Sequence, residues 1–140
     1  MMIEIINLQH KYRIDRAKFK NLLRSLVNHY KLTDPEINLA FVDNRTIRKL
    51  NRDFLKEDAP TDVLSFPFGE KKSIDGKSYL GDIAISVPRA FKQCHSKTHG
   101  LEKELEDLAV HGFLHLLGFD HGKGIEEEQA KIHRLLSGRG

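Results

Sequence analysis

Two histidines four residues apart, then a glycine and a third histidine, each three residues further on, limit what this chain can fold into. The segment reads His111-Gly112-Phe113-Leu114-His115-Leu116-Leu117-Gly118-Phe119-Asp120-His121. A spacing of four puts two rings on one face of a helix, one turn apart. Leu101, Leu105, Leu108, Gly112 and Leu116 form a stripe at helical spacing, which predicts a helix over 101–117. At about 100° per residue, His111 and His115 fall on the flank of that stripe. They then line the floor of a cleft. Gly118 stands where a helix ends in a left-handed turn, so His121 follows a chain reversal.

Imidazoles that converge in this way bind a metal. Three neutral imidazoles from His111, His115 and His121 suit one Zn²⁺ per chain and would also accept Ni²⁺ or Co²⁺. With three protein ligands a fourth position is open for water, the arrangement of a catalytic rather than a structural site. Asp120 either accepts a hydrogen bond from a ligand imidazole, is itself a ligand or weak acid catalyst, or is a turn residue. His10, His29, His95, His99 and His133 lack matching spacing and read as surface residues. Cys94 reads as a small buried side chain. The spacing equals that of the metzincin peptidases, H-E-x-x-H-x-x-G-x-x-H. Gly112 stands where their general base Glu would be, and the only methionines are Met1 and Met2, so a methionine turn is missing. A hydrolase of another bond is the better reading.

The rest of the chain reads as alternating strands and helices. Residues 3–8 form a first strand. Asp15 caps a helix that carries Phe19, Leu22, Leu23, Leu26, Val27 and Tyr30 on one face. Residues 36–42 alternate as a second strand. Asp43 or Asn44 caps a short helix with Ile47, Leu50 and Phe54 on one side. Residues 62–66 and 80–86 are two further strands, separated by a polar exposed loop over 67–79 that suits an antiparallel pair. Ser86 caps a helix that stops near Gly100, and a last helix runs from 125 to 136. The sum is an α+β domain over 1–140, a mixed four-stranded sheet with one antiparallel strand, covered by about five helices.

Composition narrows the setting. One cysteine forbids an intramolecular disulfide and fits a reducing cytosol. The opening MMIEIINLQH does not look like a secretory signal, and no apolar run is long enough to cross a bilayer. The formal charge of +3 permits a polyanionic partner without requiring one.

The histidine segment resembles the H-G-x-L-H-L-x-G-x-D-H motif of the YbeY family of bacterial metal-dependent endoribonucleases. Asp58-Ala59-Pro60-Thr61-Asp62-Val63-Leu64-Ser65-Phe66-Pro67 is similar to that family's D-x-P-T-D-V-L-S-F-P. Leu80-Gly81-Asp82-Ile83-Ala84-Ile85-Ser86 is similar to its L-G-D-I-x-I-S. The three motifs come in the family's order. The resemblance implies a zincin-like fold and a zinc on His111, His115 and His121. It also implies a cytoplasmic role with the small ribosomal subunit, in which single-stranded RNA is cut, rRNA 3′ ends are trimmed and ribosomes are quality-controlled. It implies RNA as partner, with no DNA and no membrane. One position departs. Leu55 stands where the family usually has an arginine tied to RNase activity, and leucine cannot contact phosphate. Arg52 or Lys56 is left to supply the charge, although lysine lacks the planar fork of arginine.

The expected chemistry is metal-assisted phosphodiester cleavage. Arg52, Lys56 and Arg89 are candidates for steadying the phosphate, and Asp82 either orients a ligand or substrate or caps a turn. Basic groups at Lys11, Arg13, Arg16, Lys18, Lys20 and Arg24, and at Arg45, Arg48 and Lys49, either track an RNA backbone or are solvated helix faces. Phe54, Phe66 and Phe68 read as core packing, and strand 80–86 as a sheet edge beside the metal that guides an extended substrate. A non-catalytic, metal-containing ribosome or RNA-binding factor and a zinc hydrolase of another bond are the competing readings.

Overall fold

A computed structural model describes residues 2–57, 61–67, 79–94, 100–120, 122 and 124–137. The elements are β1 (Met2–Asn7), α1 (Arg16–His29), β2 (Glu36–Val42), α2 (Asn44–Leu55), β3 (Val63–Pro67), β4 (Tyr79–Ser86), α3 (Val87–Cys94), α4 (Leu101–Leu116) and α5 (Ile125–Ser137). Each expected strand and helix is present, with ends moved by a residue or two. The exception is the helix expected to run on towards Gly100. It is described to Cys94, and residues 95–99 lie outside the described residues, as does most of the expected polar loop, 68–78.

Local chemistry starts the helices where the sequence predicts. The Asp15 carboxylate accepts from the Lys18 N–H at 3.3 Å at the head of α1. Asp43, rather than Asn44, caps α2 by accepting from the Thr46 N–H at 2.8 Å, and that bond holds its carboxyl below the usual range. Asn44 instead accepts from the Ser86 hydroxyl at 2.6 Å, while Ser86 Oγ accepts from the Arg89 N–H at 3.3 Å at the start of α3.

The sheet order is β1-β2-β4-β3. β1, β2 and β4 run parallel, and β3 lies antiparallel to β4, with Val63 opposite Ile85 and Pro67 opposite Gly81. The edge strand on the histidine side is therefore β3. The strand at 80–86 is interior, because it pairs with β2 on one side and β3 on the other, and so it presents no free backbone to a substrate.

Strand alternation gives the sheet two different faces. Ile3, Ile37, Leu39, Phe41, Ile83 and Ile85 point to one face and form the main core with Phe19 and Leu23 of α1, Leu105, Ala109 and Phe113 of α4, and Ile125 and Ile132 of α5. The other face carries a smaller cluster of Val42, Leu64 and Ile47 of α2, with Ala40, Leu50 and Phe66 packed against it. Beside α2 that second face is open. A groove of about 480 Å³ is lined there by Ile6, Ala40, Leu50, Phe54 and Phe66. Phe54 is not a core residue: it is 65% exposed and leans on half-buried Phe66, ring centroids 5.2 Å apart. The amphipathic pattern of α2 placed it on the sheet side, but the helix ends one residue later and nothing among the described residues covers it. Phe68 lies outside the described residues.

No helix among the described residues is long and apolar enough to cross a membrane. Helix α4 lies closer to the sheet than a side chain would allow. A Cβ on Gly112 would come within 2.7 Å of Ile83 Cγ2, 3.2 Å of Ser65 Oγ and 3.3 Å of Val63 Cγ2. The Ser65 hydroxyl donates to the Gly112 carbonyl at 3.0 Å, so strand and helix are joined at the same spot. Gly112→Ala is expected to lower stability by about 1–3 kcal/mol in urea unfolding, as overpacking a rigid core does. The cost should be smaller in an Ile83→Leu background, which lacks the Cγ2 methyl; equal costs in both backgrounds would show that the contact does not matter.

Candidate metal centre

Helix α4 carries both helical histidines, and its far end explains how the chain returns to them. Gly118 has φ 101°, the left-handed conformation expected of it. The Phe119 N–H donates to the Leu114 carbonyl and the Gly118 N–H to the His115 carbonyl, both at 3.0 Å. This is the paired closure of a glycine-capped helix. It turns the chain back so that Asp120 comes beside His115, with Oδ1 3.6 Å from Nδ1.

The two rings meet edge to face, with centroids 4.6 Å apart and planes at 74°. Their Nε2 atoms face each other at 3.0 Å. The other nitrogens point away from this meeting place. His111 Nδ1 lies 2.9 Å from Gln129 Oε1 of α5, and His115 Nδ1 faces Asp120. A protonated Nδ1 leaves Nε2 with a lone pair. Two such lone pairs 3.0 Å apart repel unless a proton or a cation lies between them. Two imidazoles on one tetrahedral zinc, with bonds of about 2.0–2.1 Å, stand about 3.3 Å apart, so the observed pair needs to open by only a few tenths of an ångström. Oxygen acceptors behind ligand imidazoles are the usual outer layer of a metal site. The described donors therefore fit a transition metal. His121 lies outside the described residues, and among those described no three His, Cys, Asp or Glu side chains form a group able to hold an ion.

Gln129 is the residue that the sequence reading missed. It stands four residues after Ile125 and three before Ile132, which are both fully buried on the inner face of α5. A polar side chain on that stripe must point into the protein, and that was the available signal. His133, read as a surface residue, also faces inward, with Nε2 3.0 Å from Asp107 Oδ1 of α4. Helix α5 is further tied to α1 by the Tyr30 hydroxyl, which donates to Glu128. Burial and that carboxylate push the Tyr30 phenol well above its usual range. Cys94 is buried, as expected.

Asp82, Arg52 and Lys56 lie on the other face of the sheet from the histidines. Ile83 faces Gly112, so alternation sends its neighbour Asp82 to the opposite face of the sheet, where it accepts from Asn38 Nδ2 at 2.8 Å. Arg52 and Lys56 belong to α2, which packs on that same opposite face. Arg52 Nε lies 3.3 Å from Asp53 Oδ1 at the surface, and Lys56 is the exposed left-handed cap of α2 with φ 63°. Arg89 is exposed on α3. Leu55 is exposed too, at 51%.

The sequence matches the profile of the family described as Endoribonuclease YbeY over residues 4–136. Relatives carrying that name include one from Aquifex aeolicus, 40% identical over 85% of this chain and 78% of its own length. Another, from Caldicellulosiruptor saccharolyticus, is 40% identical over 96% of this chain and 91% of its own. The fold resembles the solution structure of TM1509 from Thermotoga maritima, with a TM-score of 0.61 and 29% identity over 93% of this chain and 85% of that one. The chain belongs to the endoribonuclease YbeY family.

Proposed function

We propose that this protein is a zinc-dependent endoribonuclease of rRNA maturation, with one zinc per chain held by His111, His115 and His121. The observation that carries the reading is the pair of Nε2 atoms 3.0 Å apart on α4, with the Gln129 amide oxygen 2.9 Å from the His111 Nδ1 and a carboxylate oxygen of Asp120 3.6 Å from the His115 Nδ1. Bound there, the metal supplies Lewis-acid stabilisation of the charge that builds on a phosphodiester under attack. His111 and His115 hold their Nε2 lone pairs towards it. Asp120, with a side chain 57% exposed and an oxygen 3.6 Å from the His115 Nδ1, is the carboxylate beside the site. Gly112 keeps the position of a peptidase base empty, because a glutamate there would have to displace Ile83 and Val63. Peptide hydrolysis by that route is closed.

The substrate in this reading is single-stranded RNA, in particular the 3′ end of small-subunit rRNA, met on the ribosome in the cytoplasm. Family membership and the excess of basic over acidic residues, 23 to 20, support it. Arg52 and Lys56, on the other face of the sheet from the two histidines, serve as phosphate contacts at the periphery, and Arg89 on α3 is a further exposed phosphate contact. The second reading is a non-catalytic, metal-bearing ribosome factor. Exposed Leu55 favours it, because an apolar side chain fills a surface position from which an arginine would reach phosphate.

Two measurements separate these readings. Purified protein loaded with Zn²⁺ is expected to cut single-stranded but not duplex RNA, and His115→Ala to lose at least a hundredfold of that activity along with its zinc. Zinc-loaded wild type that binds RNA tightly without cutting it establishes the binding factor instead. Leu55→Arg is expected to tighten RNA binding several-fold and to steepen its salt dependence by about one unit of log–log slope, as one added phosphate contact does. An unchanged slope would place position 55 away from the RNA.

A further inference from the structure

Helix α5 contributes a side chain whose hydrogen bonds fix the protonation pattern of the site. Gln129 Nε2 donates to the backbone carbonyl of Asp107 at 3.0 Å. A carbonyl only accepts, so the amide must present its NH₂ to Asp107 and its oxygen to the other side. That oxygen lies 2.9 Å from His111 Nδ1. An amide oxygen also only accepts, so Nδ1 must carry the proton. A neutral imidazole with its proton on Nδ1 has its lone pair on Nε2, the atom that faces His115. Asp107 is four residues before His111, so its carbonyl belongs to the helical turn that carries the histidine. The position of Gln129 is itself fixed by the flanking buried pair Ile125 and Ile132.

We infer that Gln129 is a positioning residue that selects the metal-binding tautomer of His111. The inference rests on the metal reading proposed above and adds the residue that prepares His111 before an ion arrives. With the amide removed, the imidazole is free to put its proton on Nε2, and each binding event must then first move it. With the amide present, the lone pair stands ready. Ligand orienters of this kind are typically worth 10–100-fold in metal affinity.

The test combines nitrogen NMR of the histidine rings with zinc affinity by chelator competition. It uses wild type, Gln129→Leu, Gln129→Glu and His115→Ala. In metal-free wild type, His111 is expected as the Nδ1–H tautomer. Gln129→Leu, close in size but without polar atoms, should show a mixture of tautomers and bind zinc 10–100-fold more weakly. Gln129→Glu, which keeps an acceptor for Nδ1–H, should recover most of that loss. Wild type that binds zinc no better than His115→Ala overturns the metal reading. Wild type that binds zinc through His115, with Gln129→Leu binding it equally well, overturns the role of Gln129 alone. An Nε2–H tautomer at His111 in metal-free wild type also overturns that role, and this last result is read without any variant that must fold.

Discussion

The arrangement depends on how closely α4 approaches the β3–β4 pair. At Gly112 the helix backbone sits where a methyl group would meet Ile83 at 2.7 Å. That approach has three effects at once. It buries Ala109, about one turn earlier, and Phe113, the next residue, in the core beneath the sheet. It leaves His111 and His115 half-exposed on the flank of α4. And it excludes a side chain at position 112 itself, where a peptidase would carry its general base. Rigid packing of a helix on a sheet thus decides both where the imidazoles stand and which chemistry is closed to them.

A second layer makes those imidazoles directional. The glycine-capped end of α4 returns Asp120 to one ring, and α5 brings Gln129 to the other. The hydrogen bond to Gln129 steers the His111 ring to offer Nε2, and the Asp120 carboxylate stands 3.6 Å from the His115 Nδ1. Helix α5 is in turn locked by Ile125 and Ile132 in the core, by His133 against Asp107, and by the bond from Tyr30 to Glu128. The site is therefore supported by elements far apart in sequence, with α1 holding α5 and α5 holding the ring of a residue on α4.

Much of this was legible in the sequence because it rests on local rules. Period and punctuation placed all four strands and five helices, and the caps at Asp15, Ser86 and Gly118 follow from short-range hydrogen bonding. The i, i+4 histidines and the turning glycine likewise read directly as a ligand pair and a reversal. What failed was what depends on packing at a distance. Strand 80–86 looked like an edge, but strand order is set by which chain segments reach each other and not by pattern. Asp82 looked close to the metal, but its face follows from its neighbour Ile83, whose burial against α4 no local rule gives. Phe54 looked like core because its helical phase is right, although its helix ends before anything covers it. Gln129 went unremarked and His133 was read as a surface residue because only the docking of α5 on α4 gives their positions meaning.

The central claim is that imidazole nitrogens arranged by α4 and the turn after it hold one metal ion. X-ray absorption at the zinc edge, on protein loaded with one equivalent of Zn²⁺, reads the ligand shell directly. The account predicts three imidazole nitrogens at about 2.0–2.1 Å and one oxygen donor, with the imidazole count falling by one or the metal lost in His115→Ala. A shell with a sulfur donor, or with a single imidazole that His115→Ala leaves unchanged, would contradict it.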